Sequence, residues 1–172
     1  MDGITNASRP KEERFRRFMA AQAIMLSLKG VPGIYYHSLL GSGNWIEGVE
    51  TTGINRRINR EKLDYASLVE QLGNESSLRH MVLYAFRKIL SIRGMHSAFS
   101  PFAHQRVLDF SPYLFAIERY HPITEEKIVV LINVTDKEVR LQEPISGLDL
   151  LSSGGNGVIT RMGPYQIAWI KT

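Results

Sequence analysis

Ala20-Ala21-Gln22-Ala23-Ile24-Met25-Leu26-Ser27-Leu28-Lys29-Gly30-Val31-Pro32-Gly33-Ile34-Tyr35-Tyr36 decides the fold. Its first half reads as the end of a helix, its middle as a tight turn, and its last six residues as a second apolar run. The helix begins upstream. Pro10, followed by Lys11-Glu12-Glu13, suits a first helical turn, because proline fits where amide donors are unpaired anyway. Ser8 is the expected N-cap. From Phe15 the apolar positions recur as Phe15, Phe18, Met19, Ala23, Met25 and Leu26. The first half of the helix is amphipathic and the second is apolar nearly all round. Gly30 and Pro32 stop it. Val31 to Tyr36 then reads as a short, fully buried strand, since buried parallel strands are continuous apolar runs rather than alternations. Such a helix-to-strand step is the unit of an α/β fold. One step cannot make a sheet, and the unit is not repeated downstream.

Working outward, His37 to Leu63 is a long polar segment without periodicity. It carries Gly41, Gly43, Gly48 and Gly53 and a basic cluster of Arg56, Arg57, Arg60 and Lys62. Connections this long are usually functional or disordered. Asp64 is placed to cap a short helix to Leu72, closed by Gly73. Asn74 is placed to cap a longer one, in which Leu78, Met81, Val82, Ala85, Phe86, Ile89 and Leu90 recur at helical spacing until Gly94. After Phe99 the texture changes. Gln105–Phe110, Tyr113–Arg119, Lys127–Val134, Glu138–Leu141, Leu148–Leu151, Val158–Arg161 and Tyr165–Lys171 are short β-rich runs at the spacing of an antiparallel meander or sandwich. Ser152 to Gly157 is a turn-rich connection. It is not a phosphate loop, because no lysine or helix follows it. The boundary falls near residues 96–104, giving an expected domain over 1–99 and a second over 100–172.

The chain has 172 residues, with 44% hydrophobic and 22% charged, a globular balance. The formal charge of +4 is mild, because 17 acidic residues are mixed among 21 basic ones, and it does not argue for a nucleic-acid partner. The longest apolar stretch, Phe18 to Leu28, is too short to span a bilayer, so no membrane partner is expected. Cysteine is absent, which excludes disulfides, thiolate zinc sites and cysteine nucleophiles. His80, His96, His104 and His121 have no metal-like spacing with one another, and no metal or other cofactor is expected. A cytoplasmic location is compatible with this composition.

Two stretches beyond Tyr36 carry a resemblance: His37-Ser38-Leu39-Leu40-Gly41-Ser42-Gly43-Asn44, and Thr52-Gly53-Ile54-Asn55-Arg56-Arg57-Ile58-Asn59-Arg60-Glu61-Lys62-Leu63. Together with the Gly-Val-Pro turn they resemble the sucrose-phosphorylase subfamily of the α-amylase superfamily, glycoside hydrolase family 13, especially its glucosylglycerate- and sugar-phosphate-using relatives. The Arg-x-Ile-Asn-Arg core is the most specific piece, and the match runs to about Gln105. The resemblance implies an α+β chain: remnant helices and the last strand of a (β/α)8 barrel, followed by an all-β antiparallel C-terminal domain. It implies a C-terminal fragment of a retaining α-glucoside phosphorylase or transglucosidase, with inorganic phosphate as co-substrate. Retention needs two carboxyl groups about 5–5.5 Å apart across the scissile bond. In the family these come from earlier strands, so the chain is expected to contain no catalytic residue and to be inactive alone. The alternatives are a fragment of an α-amylase-type hydrolase and a non-catalytic β-sandwich binding module.

Barrel active sites form at the C-terminal ends of the strands, so the candidate substrate- and phosphate-binding residues lie after Tyr36: Arg56, His37, Asn44 and Trp45. By the resemblance, Arg56 sits on the active-site loop near the glucosyl donor and phosphate. A guanidinium can grip phosphate by two prongs and keeps its charge at any relevant pH. The alternative is a surface arginine paired with Glu50 or Glu61. Many relatives carry an acidic residue where Arg57 stands, and Arg60 with Asn59 is expected to tie the loop to the barrel rim. His37 is expected at the end of the strand, either as a rim hydrogen-bonding group or as a contact to a polar acceptor. Trp45 either stacks on a sugar ring or anchors the loop. Asp2 is read as a turn residue. The apolar surface of helix 11–29 and strand 31–36 is expected either to drive self-association or to be covered by the helices folding back onto the β-domain.

Overall fold

The computed structural model describes residues 1–152 and 155–172. The connection read at Ser152 to Gly157 therefore lies partly outside the described residues. The chain divides into two compact units, Met1–Phe18 with Gly33–Arg87, and Met19–Pro32 with Lys88–Thr172. Among the described residues no helix is long and apolar enough to cross a membrane.

The first unit is helical. It holds the start of α1 (Lys11–Ser27), then α2 (Tyr36–Leu39), α3 (Ile46–Thr52), a 3-10 turn at Asn55–Asn59, α4 (Tyr65–Gly73) and the start of α5 (Leu78–Met95). Phe18, Val82 and Phe86 are buried in it. Asp64 caps α4 as expected, its side chain accepting from the Ser67 amide at 2.9 Å. Two other expected caps differ. Ser8 bonds to Asn6 instead of to α1, and the carbonyl of Pro10 takes the first helical amide, that of Arg14. Ser77, not Asn74, caps α5, because its hydroxyl lies three residues before the His80 amide that it accepts, at 3.0 Å. Asn74 instead bonds the Ser76 amide in a local turn.

The expected strand at Val31–Tyr36 does not form. Residues 31–35 take no regular structure, and the chain turns into α2 at Tyr36. The physical reason is the lack of neighbours. A strand exists only by pairing with at least one neighbour, and among the described residues none pairs with this segment. Its apolar side chains stay in solvent, with Val31 84% and Tyr36 49% exposed.

The second unit is built on one antiparallel sheet. Its strands are β1 (His104–Val107), β2 (Leu114–Tyr120), β3 (Lys127–Asn133), β4 (Val139–Asp149), β5 (Asn156–Met162) and β6 (Ile167–Lys171), in the spatial order β1-β2-β3-β6-β4-β5. The described strands form this single sheet, so the two-sheet sandwich is not realised. The runs expected at 138–141 and 148–151 overlap the two ends of one long strand, β4, which shifts register against β5 between Arg140 and Ile145. One face of the sheet carries Leu114, Ala116, Val129, Leu131, Met162, Ala168 and Ile170. The other carries Ile117, Val130 and Trp169, with the Phe99 ring packed against Trp169 at 4.3 Å between ring centres and tilted by 41°. Strand β3 is buried on both faces, which is why it reads as an unbroken run, Ile128-Val129-Val130-Leu131-Ile132.

Candidate functional site

The basic cluster found in the sequence surrounds a real groove. In the first unit a hollow of about 530 Å³ is lined by Trp45, Ile54, Arg56, Arg57, Arg60 and Lys62. Local sequence builds it. Trp45 precedes α3 and lays its indole over Gly48, where any β-carbon would overlap the ring. Gly53 ends α3 in the left-handed conformation at φ 65°, which a residue without a side chain adopts freely. The chain then runs extended through Ile54 into the 3-10 turn, whose last residues present Arg56 and Arg57. Two bonds fix this turn: the Trp45 amide donates to the Ile58 carbonyl at 2.7 Å, and the Tyr35 hydroxyl donates to the Asn59 carbonyl at 2.9 Å.

Among the described residues, the side chains of Arg56, Arg57, Arg60 and Lys62 have no hydrogen-bond or ion-pair partner. Neither Glu50 nor Glu61 pairs with Arg56. Four cations around one hollow, with no carboxylate in its lining, make a field suited to an anion. The indole of Trp45 adds an apolar wall able to stack on a sugar ring. The groove has no acid and no base, so it can bind and orient but cannot by itself break a glycosidic bond. Among the described residues no cluster of His, Asp or Glu could hold a metal ion.

Arg56 and Trp45 are thus brought together, whereas His37 and Asn44 do not line the groove. His37 lies inside α2 and is only 5% exposed. Its Nδ1 is 3.0 Å from the Ser42 hydroxyl oxygen, and the ring also faces the Glu61 main chain, although the buried Nε2 closes no hydrogen bond of good geometry among the described residues. Burial lowers its pKa, with Arg79 acting in the same direction and Glu61 opposing. The ring is therefore neutral at physiological pH. The Asn44 backbone amide donates to the Asp2 carboxylate at 2.6 Å, and that carboxylate also faces Arg14 at 3.4 Å. Asp2, read as a turn residue, anchors the glycine-rich loop.

Sequence reasoning missed Arg79. From α5 it donates to the Leu40 carbonyl at 3.2 Å, to the Ser42 hydroxyl at 2.9 Å and to Gln71 at 2.8 Å. The only signal was a charged residue among the apolar positions of α5, a pattern shared by any solvated helix face.

No protein-family model matches the chain. Curated relatives do. The glucosylglycerate phosphorylase of Spirochaeta thermophila is 44% identical over 146 residues, 85% of this chain and 25% of that protein. Those of Allomeiothermus silvanus and Escherichia coli are 36% and 34% identical, over 98% and 99% of this chain and 30% and 31% of theirs. The chain spans between a quarter and a third of the length of these relatives. Among solved structures, a MutB variant in complex with glucose superposes with a TM-score of 0.69 at 16% identity, over 99% of this chain and 40% of the other. An isomaltulose synthase variant from Erwinia rhapontici gives 0.66 at 18%, over 99% and 40%. At those identities the likeness speaks for the fold, and the sequence relatives speak for descent. On those sequence relatives the chain belongs with the phosphorylases of glycoside hydrolase family 13 and corresponds to the C-terminal part of such enzymes.

Proposed function

We propose that this chain contributes the sugar-and-phosphate rim of a retaining α-glucoside phosphorylase whose reacting carboxylates lie outside these residues. The carrying observation is the groove of four unpaired cations beside Trp45. Inorganic phosphate is the expected anion, gripped by Arg56 with Arg57, Arg60 and Lys62 in support. The α-glucoside is the expected partner of Trp45. The names of the sequence relatives favour glucosylglycerate over sucrose as the donor. Asn44 and His37, set back from the groove, support its loop in this reading. Residues 1–99 then form the closing part of a barrel domain and residues 100–172 an appended β-domain, in a cytoplasmic enzyme.

The test compares two proteins. The 172-residue chain, given glucosylglycerate and phosphate, is expected to release no glucose 1-phosphate. A longer protein carrying the same residues is expected to release it only when phosphate is present, and Arg56→Ala in that protein is expected to lower the rate at least about tenfold, the loss typical of one charge-assisted contact to a reacting group. Release of free glucose without phosphate consumption would reject the phosphorylase reading in favour of hydrolysis.

A further inference from the structure

The groove is held from a distance by residues that do not line it. Arg79 can only donate hydrogen bonds, so at 2.9 Å its guanidinium donates to the Ser42 hydroxyl oxygen. The Ser42 hydroxyl has one proton of its own. Ser42 is 4% exposed, and the neighbour able to take that proton is Nδ1 of His37 at 3.0 Å. If Nδ1 carried a proton instead, Ser42 would accept twice and leave its own proton buried without an acceptor, at a cost of about 1–3 kcal/mol, whereas a proton on Nε2, the ring nitrogen that Ser42 does not engage, is favoured by the Glu61 main chain beside the ring. The arrangement therefore selects the neutral imidazole protonated at Nε2.

The same contacts fix the main chain that leads to the groove. Arg79 also holds the Leu40 carbonyl at 3.2 Å, and the Ser42 amide closes on the His37 carbonyl at 2.8 Å. Three residues on, the Trp45 amide binds Ile58, within the turn that presents Arg56 and Arg57. A continuous path of hydrogen bonds and short chain thus runs from α5 to the groove wall.

The geometry points to Arg79 as a positioning residue for the groove, acting through Ser42 and the Nε2-protonated tautomer of His37. This rests on the phosphate-rim reading only for what the groove binds; the brace itself is a property of the chain. His37 is then a strut, and its exchange should disturb the groove without removing a ligand contact.

Nitrogen-15 NMR of the histidine rings in the full chain tests this. In the unaltered protein His37 is expected to show a bare Nδ1 and a protonated Nε2. Ser42→Ala, nearly isosteric, is expected to move both nitrogens towards values averaged over the two tautomers and to shift the Trp45 indole cross-peak. Arg79→Met should do the same. If that variant does not fold, Ser42→Ala decides alone. A proton on Nδ1 in the unaltered protein, or a Ser42→Ala spectrum with His37 and Trp45 unmoved, overturns the brace. Inorganic phosphate is titrated separately: the brace signature without any response of the groove arginines to phosphate supports the brace and overturns the phosphate reading.

Discussion

Glu126 is the most strongly perturbed carboxylate of the second unit. Burial by itself would raise its pKa. His96 at 2.7 Å, Lys171 at 2.9 Å, the Ala98 amide at 3.0 Å and the Ser97 hydroxyl at 2.9 Å all favour the ionised form, and together they hold it at about 2 against an ordinary 4.5. A carboxylate depressed in the folded state stabilises fully above its unfolded pKa and loses that contribution as pH falls towards its folded one. Between pH 4.5 and 2 the unit is therefore expected to lose stability, on the order of 2 kcal/mol from this group. Thermal melts of Glu126→Gln should be lower at neutral pH and nearly flat across that acid window. Gly48 makes a second residue-scale case. With Gly48→Ala the indole of Trp45 must leave the α3 backbone. A changed Trp45 NMR environment is expected, together with a lowered melting temperature, since Gly48 is buried beneath the ring. The need for glycine here was not visible in the sequence, where Gly48 was one of four glycines in a polar segment and nothing local put the Trp45 ring above it.

At the scale of elements, the end of α1 depends on two arginines. The last carbonyls of a helix lack intrahelical donors. Arg93 of α5 donates to the carbonyls of Leu26, Gly30 and Phe99 at 2.8–2.9 Å. Arg119 of β2, fully buried, donates to those of Ser27 at 2.9 Å, Ser100 at 2.8 Å and His104 at 3.3 Å. Both guanidinium groups lie within 6 Å of the Phe99 ring centre, at 5.7 and 5.9 Å. Burial, with the charge of Arg93 beside it, brings the Arg119 pKa down to about 10, so it still carries its proton at neutral pH. Arg119→Met keeps much of the volume and strands three carbonyls. A loss of roughly 2–4 kcal/mol is expected in chemical denaturation, and Arg119→Lys should recover only part of it, because an ammonium lacks the planar fork that reaches three separate carbonyls. The helices were legible from periodicity, and Gly30 with Pro32 located the stop. What periodicity could not supply was the partner of that stop, because a lone Arg between Glu118 and Tyr120 reads as an outward-facing strand residue. The unformed strand at 31–35 is the converse. Its composition was read correctly as apolar, but a strand exists only through its neighbours, and among the described residues none pairs with it.

For the whole molecule, the β-rich half was readable because alternation and turn residues separate its strands, while their spatial order was not, since nothing local encodes a crossover. Exposed Val31, Tyr35 and Tyr36 leave apolar surface in water. Sedimentation is expected to show association that grows with protein concentration, and Val31→Asp with Tyr36→Ser is expected to reduce it; a monodisperse monomer across the range would refute the self-association. The sheet order has a different outcome, one of timing. Strand β6 is sixth along the chain but fourth in space, between β3 and β4. During synthesis β1, β2 and β3 can zip as they emerge, and β4 with β5 can form a hairpin, but the two halves stay unjoined until Ile167–Lys171 has left the ribosome. The nascent chain must wait, holding two raw sheet edges, for its final five-residue keystone.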